Sequence, residues 1–521
     1  MFKSIKEELK KYTRRISAII ILSVLSLTMA SCGAQESSQQ NTLVYGSTDY
    51  TSINPALYEH GEINSLIFIG LTAHDADNKV IPSAAQNWSY DKDKHEYHFK
   101  LREGLLFHDG EPLTSKDVKF TIESIMNPDN NSENASNFED VESIDIIDDF
   151  NFVIKLKAAN VAMLDYLTIG ILPEHILAGE QIVTHEFNQN PVGAGPYKLT
   201  NWDFGQSITL EKFDDFYLGA PKIEKIIFKI VEDSDSRALQ LKSGELDFAQ
   251  ITPKSMSEFE GKDGYQIYKM ETSDYRGIMY NFNSEFFSKH KELPSILSYA
   301  IDRQAIVESV LLGNGEVAYS PLQKTEFNNT EMEKYDYNPE MAVKLLEDEG
   351  WIREEDGFFY KDDEQLEFEI NNGQADQVRI DMSNICAQYL QNIGVNATVK
   401  VLAETDWENQ DTYLIGWGSP FDPDDHTYKV FATSKGANYG SYSNKKIDEI
   451  LQSARETDVN EERIKLYKEF QKELSDNPAY TFIAYIDAIY AAKDNIKGIT
   501  ENTTLGHHGV GIFWNVYEWE V

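Results

Sequence analysis

The chain has 521 residues, 41% hydrophobic and 26% charged, which is enough for more than one core and too evenly mixed for a disordered chain. Against 47 Lys and Arg stand 87 Asp and Glu, a net charge of −40 that repels phosphate backbones and anionic lipid surfaces and argues against nucleic acid as a partner. Two cysteines, Cys32 and Cys386, are too few for a disulfide framework or a thiolate zinc cluster.

Residues 3–15 carry Lys3, Lys6, Lys10, Lys11, Arg14 and Arg15, and an apolar run from Ile16 to Leu27 follows. That run is shorter than the ~20 apolar residues of a permanent membrane helix, so residues 1–31 are predicted to be an export signal. In Met29-Ala30-Ser31-Cys32-Gly33, small residues precede a cysteine, which resembles a bacterial lipobox. Lipidation of Cys32 is expected, the alternative being an ordinary signal with a stray cysteine. Removal of 1–31 leaves 41 basic against 85 acidic side chains, a net charge of −44. Residues 32–41 then read as the lipidated Cys and a polar, flexible tether.

Tyr97, Phe99 and Leu101 alternate with His98 and Lys100, Phe152, Ile154 and Leu156 with Val153 and Lys155, and Ile226, Phe228 and Ile230 with Ile227 and Lys229; all three runs predict strands. The Asn-rich stretch from Pro128 to Asp140 lacks the sixth-position Gly and the final Glu of a calcium loop, and is predicted to be a solvated surface loop. One helix is expected from Pro294 to Gly313. A second has Asn338 as N-cap, Pro339 at its first position and Gly350 as its stop, and a third spans Glu461 to Leu474. Cys386 lies on a segment where Val378, Met382, Ile385 and Tyr389 recur at helical spacing, and is expected to be a buried core thiol.

Five segments together carry a family resemblance. They are Phe107-His108-Asp109-Gly110-Glu111-Pro112-Leu113-Thr114 leading into Asp117-Val118; Asn190-Pro191-Val192-Gly193-Ala194-Gly195-Pro196-Tyr197; Ala300-Ile301-Asp302-Arg303; Tyr335-Asp336-Tyr337-Asn338-Pro339 through Gly350-Trp351; and Gly416-Trp417-Gly418 followed by Asp422-Pro423. In this order they resemble the extracytoplasmic solute-binding proteins, family 5, of peptide and nickel ABC importers. The resemblance implies an α/β fold: a periplasmic-binding-protein-like II clamp of two lobes with a hinge, plus an extra α/β domain inserted in the first lobe. By analogy residues 42–70, 191–280 and 495–521 form lobe I, 71–190 the extra domain and 281–494 lobe II. The two glycines between Pro191 and Pro196 are read as a rigid bend where the chain is redirected, and His108 as a structural polar residue.

The same resemblance places the Gly-Trp-Gly loop in the cleft. Trp417 becomes a candidate wall, and Asp422, Asp424 and Asp425 become candidates for a peptide ammonium group, although this chain has Pro420 where dipeptide binders carry an acidic residue. Tyr280 and Asn281, on the strand leading between lobes, are candidates for contact through ring and amide. Arg379 is a candidate for a peptide carboxylate. The stretch Trp417-Gly418-Ser419-Pro420-Phe421-Asp422-Pro423 resembles the nickel-chelate members instead. Residues 158–175 lack the arginine those members use, so a histidine-based metal mode is the alternative, through His60, His507, His508 and His426. The bland reading of those histidines is surface or supporting polarity.

The expected function is therefore that of a substrate-binding lipoprotein on the extracytoplasmic face of the cell membrane. It captures short peptides, or alternatively a nickel chelate, and delivers them to ABC permease and ATPase subunits. Such a protein is expected to be a monomer, to touch the membrane only through its lipid, and to need no cofactor, any nickel chelate being cargo. The competing class is an exported hydrolase, yet the chain has no Gly-x-Ser-x-Gly, no His-Glu-x-x-His and no phosphate loop to anchor catalysis. A receptor that kept the clamp and lost transport is the third possibility.

Overall fold

The structure, a computed structural model, describes residues 41–58, 61–374, 376–407, 409–501 and 503–521. The export signal, Cys32 and His60 lie outside the described residues. No helix among the described residues is long and apolar enough to cross a membrane.

Two large sheets organise two lobes. The first is seven-stranded, in the order Tyr265–Met270, Ala488–Lys493, Phe248–Gln250, Thr42–Ser47, Lys225–Ile230, Ser207–Lys212, Tyr197–Asp203. At its centre Thr42–Ser47 runs parallel to both neighbours, and its outer pairs are antiparallel. The second sheet is six-stranded: Gly315–Val317, Tyr480–Ile486, Tyr275–Tyr280, Thr412–Trp417, Glu367–Gly373, Asn396–Leu402. Its middle strands Tyr275–Tyr280 and Thr412–Trp417 are buried at every position, as strands covered on both faces must be.

The sheet membership moves two expected boundaries. Tyr275–Tyr280, assigned by analogy to the end of lobe I, pairs inside the second sheet, and Ala488–Lys493, assigned to lobe II, pairs inside the first. The chain therefore crosses between lobes at 271–274 and at Asp487. The crossings are tied together: Ile486 N donates to Asp274 O at 3.0 Å and Thr272 Oγ1 to Ile486 O at 2.5 Å. The C-terminal return lies across them, with Ser273 N donating to Leu505 O at 2.9 Å and His507 N to Gly418 O at 2.9 Å.

The inserted region builds a four-stranded antiparallel sheet, Ala85–Asp91, Glu96–Leu101, Asn151–Leu156, Val141–Ile146. The alternation read from sequence puts Tyr97, Phe99 and Leu101 inside with Phe152, Ile154 and Leu156. Its helix Ser115–Met126 starts on a capping box in which Thr114 and Asp117 satisfy each other's backbone N–H groups. This domain shares one apolar core with the first sheet, so the two form a single packed unit. Lobe II buries separate cores on the two faces of its sheet.

His108 joins two of the sequence motifs. Its Nδ1 accepts from Gly193 N at 3.2 Å and its Nε2 lies 3.1 Å from Gly195 O, which makes it the structural polar residue expected. Burial pushes the imidazole down to about 4, so it stays neutral. Gly193 and Gly195 answer a different need from the expected bend: a Cβ on Gly193 would stand 1.9 Å from Ile67 O, so close approach of two backbones requires them.

The helix Pro339–Asp348 follows the sequence reading, with Asn338 Oδ1 accepting from Met341 N at 3.0 Å and Gly350 left-handed. The third expected helix is Asn460–Asp476. The helix expected from Pro294 to Gly313 is two, Leu293–Ser298 and Arg303–Ser309, because Asp302 caps a new start by accepting from Ala305 N. Cys386 is buried on Gln377–Asn392, and burial raises its thiol to about 12.

Candidate functional site

A cavity of about 370 Å³ lies between the lobes. One wall comes from the first-lobe segment that follows Pro55 and from the C-terminal return through His507 and Trp514, another from the extra domain through Asn134, Asn137 and Tyr166, and the third from the lobe II loop Gly418 to His426. Asn134 and Asn137 are buried against this space, so the stretch 128–140 is not the solvated loop expected of it: its second half turns inward through the short helix Ala135–Asn137.

The acidic lobe II loop folds onto its own cations. Asp422 takes a two-pronged grip from Arg463, Nη1 at 2.6 Å and Nη2 at 2.5 Å. Asp424 is buried and accepts from Arg455 Nη2 at 2.7 Å and Nε at 3.0 Å, and from the Tyr166 hydroxyl of the extra domain. Of the three aspartates only Asp425 lines the cavity, and Lys429 Nζ holds it at 3.2 Å. An ammonium site at Asp422 or Asp424 is thereby corrected: each carboxylate is already neutralised inside the fold.

Arg455 also reaches Glu139 and Asp140 of the extra domain, both at 3.4 Å, and stacks 3.5 Å above the Tyr428 ring. Lys435 Nζ adds 2.6 Å to Glu139. The seam between lobe II and the extra domain is thus ionic. At the cavity edge His74 bridges the same seam: its Nε2 lies 2.9 Å from Asp165 Oδ1 while its ring stacks at 3.7 Å on Phe421 of lobe II.

Tyr280 and Asn281 do not reach the solute space. Tyr280 is buried in the lobe II core with its hydroxyl 2.8 Å from Thr481 Oγ1, and Asn281 Nδ2 donates to Gln410 O at 2.8 Å. A strand at the middle of a sheet covered on both faces has no side available to a cleft. Arg379 is likewise committed, its Nε 3.3 Å from the Asp376 carboxylate that caps its helix. Burial opposes the Asp376 charge, but Arg379 and Arg276 outweigh it and hold the carboxyl below the usual carboxylate range.

The C-terminal return forms the most ordered corner. Asp274 accepts from Arg276 on one side and lies 2.8 Å from His507 Nδ1 on the other. A carboxylate partner puts the proton on Nδ1 and leaves the lone pair on Nε2, the support commonly given to metal-binding imidazoles. His507 lines the cavity, and its ring centroid lies 3.8 Å from that of His508, at a tilt of 49°; His508 is exposed on a left-handed backbone (φ 55°). His426 is the opposite case. Its Nδ1 accepts from Gly418 N at 3.0 Å, so the proton of its neutral ring sits on Nε2, away from the tautomer a metal needs on the cavity side. Trp417 lies against both rings, centroids 5.3 Å from His426 and 5.9 Å from His507. It acts behind the wall, placing the histidines.

Sequence reasoning passed over Glu62, His74, Asp274 and Arg276. Glu62 lines the cavity two residues beyond His60, and burial pushes its carboxyl up to about 7 in spite of a hydrogen bond from Tyr45 and the nearby Arg237.

Residues 79–439 match the model of the bacterial extracellular solute-binding proteins, family 5. The chain belongs to that family. Its members are extracytoplasmic substrate-binding proteins of ABC importers, and the two-lobed clamp with an inserted domain is their fold. Similarity runs over most of the length of two relatives. The oligopeptide-binding protein AppA of Bacillus subtilis (strain 168) is 28% identical over 97% of this chain and 99% of its own, and protein XP55 of Streptomyces lividans is 30% identical over 86% and 84%. Among solved structures, NikZ from Campylobacter jejuni in complex with Ni(L-His) superposes with a TM-score of 0.89 at 38% identity, covering 92% of this chain and all of that one. AppA from Bacillus subtilis with a nonapeptide superposes at 0.85 and 27%, covering 92% and 99%.

Proposed function

We propose that this solute-binding protein captures a compact nickel–amino-acid chelate of the nickel–histidine kind outside the membrane and hands it to the permease of an ABC importer. The observation that carries this reading is the Asp274–His507 pair at the cavity, an imidazole whose Nε2 lone pair is fixed by a carboxylate behind it. Among the described residues no group of three or more His, Cys, Asp or Glu gathers to cage a bare ion, which suits a metal that arrives with ligands of its own. The cavity volume stands at the low end of the ~300–1,000 Å³ usual for ligand sites, in keeping with a compact solute. The 38% identity with NikZ, which was solved with Ni(L-His), supports the same chemistry.

A short peptide is the second reading, favoured by the end-to-end similarity to an oligopeptide-binding protein. Calorimetric titration of nickel–L-histidine and of trialanine into the native chain separates the two. Tight binding of the chelate with no heat from trialanine is expected; the reverse overturns the ranking. We also hold the chain to be lipid-anchored at Cys32, supported by the basic and apolar leader before it. Cys32→Ser is expected to release the chain from the membrane, and its retention there after cleavage of the signal would contradict the anchor. Closure of the lobes on the solute follows from the clamp, with the ionic seam at Arg455 as part of the closing surface.

A further inference from the structure

We propose that Glu62 receives the α-amino group of the solute. The inference rests on the reading above, that the solute has amino-acid chemistry, and deepens it on the opposite wall from the aspartates expected for that task. Carboxylates on the lobe II loop are provided for: Asp422, Asp424 and Asp425 take Arg463, Arg455 and Lys429. Glu62 has no Lys, Arg or His within ion-pair distance among the described residues. Its nearest cation, Arg237, spends its donors elsewhere, on Val231 O at 2.8 Å, Ser234 Oγ at 2.7 Å and Gln250 O at 3.2 Å.

What surrounds Glu62 is a floor of tyrosines. Tyr45 donates its hydroxyl to the carboxylate, and Tyr50 and Tyr490 stand close enough for Glu62 to oppose their ionisation. One hydroxyl donor satisfies a fraction of the lone pairs of a carboxylate, and the half-buried Glu62 side chain leaves the others toward the cavity. Such a group is kept where something from outside completes it. It lines the same cavity as His507, so a solute whose metal or carboxylate end sits at the C-terminal corner can turn its nitrogen toward Glu62. The required chemistry is an N–H donor that carries positive charge or is polarised by it. In a peptide that is the free ammonium, and in a chelate it is the amine bound to the metal.

Glu62→Gln keeps the shape and removes the charge. Nickel–L-histidine and trialanine are titrated by calorimetry into native and variant chains, together with nickel–desamino-histidine and N-acetyl-trialanine, which lack the amino group. Whichever amino-bearing probe the native chain binds is expected to bind Glu62→Gln at least tenfold more weakly, while its amino-free counterpart binds both chains alike. Melting temperatures of the two chains, expected to agree or to favour the variant, separate recognition from folding. Equal affinity of both chains for the amino-bearing probe overturns the role of Glu62 and leaves the functional reading standing. Failure of the native chain to bind either amino-bearing probe contradicts that reading, and this inference with it.

Discussion

The two walls of the cleft use acidic residues in opposite ways. On the lobe II wall Asp422 and Asp424 are locked to Arg463 and Arg455, so a loop that reads as a row of cation-binding carboxylates is a set of internal ion pairs. On the first-lobe wall Glu62 faces the cavity among tyrosines with no ion-pair partner among the described residues, and His507 is braced by Asp274. Charge on a motif therefore says little about recognition until its partner is known. The ion-paired acids hold the protein together, and Glu62, which has no ion pair among the described residues, is the one proposed for the solute.

The strongest way to break this comparison is Arg455→Met. It strands Asp424, Asp140 and Glu139 beside one another, and losing one member of a buried ion pair costs about 3–5 kcal/mol. A fall of that order in urea-unfolding stability is expected, against little or none for Glu62→Gln. Equal losses in the two variants would erase the distinction between the walls.

His108 gives a pH-dependent version of the same contrast. Its folded pKa of about 4 lies below the ordinary ~6.5, so the unfolded chain binds the proton more tightly. The contribution is fully present above ~6.5 and is lost as pH falls toward 4, amounting to about 3 kcal/mol at the limit. Urea midpoints measured at pH 7 and pH 4.5 are expected to fall less for His108→Asn than for the native chain; parallel declines would remove His108 as a source of the acid sensitivity.

The smallest effect concerns Tyr280. Tyr280→Phe removes one buried hydrogen bond to Thr481, worth about 1 kcal/mol, and leaves solute affinity within twofold. A large loss of affinity would return Tyr280 to the cleft.

The fold was legible in the sequence where local pattern decides. The alternation through Tyr97 and Phe152 and the Asn338-Pro339 helix start are short-range signals, and the five motifs carried the family. Long-range pairing was not legible. Nothing near Asp422 or Asp424 announces Arg455 or Arg463, which lie on helices further along the chain, and nothing in Tyr280 says that its strand runs through the middle of a sheet. The lobe crossings shifted for the same reason, since strand membership depends on partners far away in the chain. His507 stood out as a candidate because a histidine pair near a chain return is conspicuous, and it lines the cavity. Glu62 lines the same cavity without having stood out, because a single glutamate is not conspicuous.

The central claim is that the solute is held from the C-terminal corner and not by the lobe II aspartates. Titrating nickel–L-histidine into His507→Ala beside the native chain tests it most directly. Affinity is expected to fall at least a hundredfold with the melting temperature of the unliganded protein within a few degrees of native; chelate binding by His507→Ala at native strength would contradict a hold from the C-terminal corner.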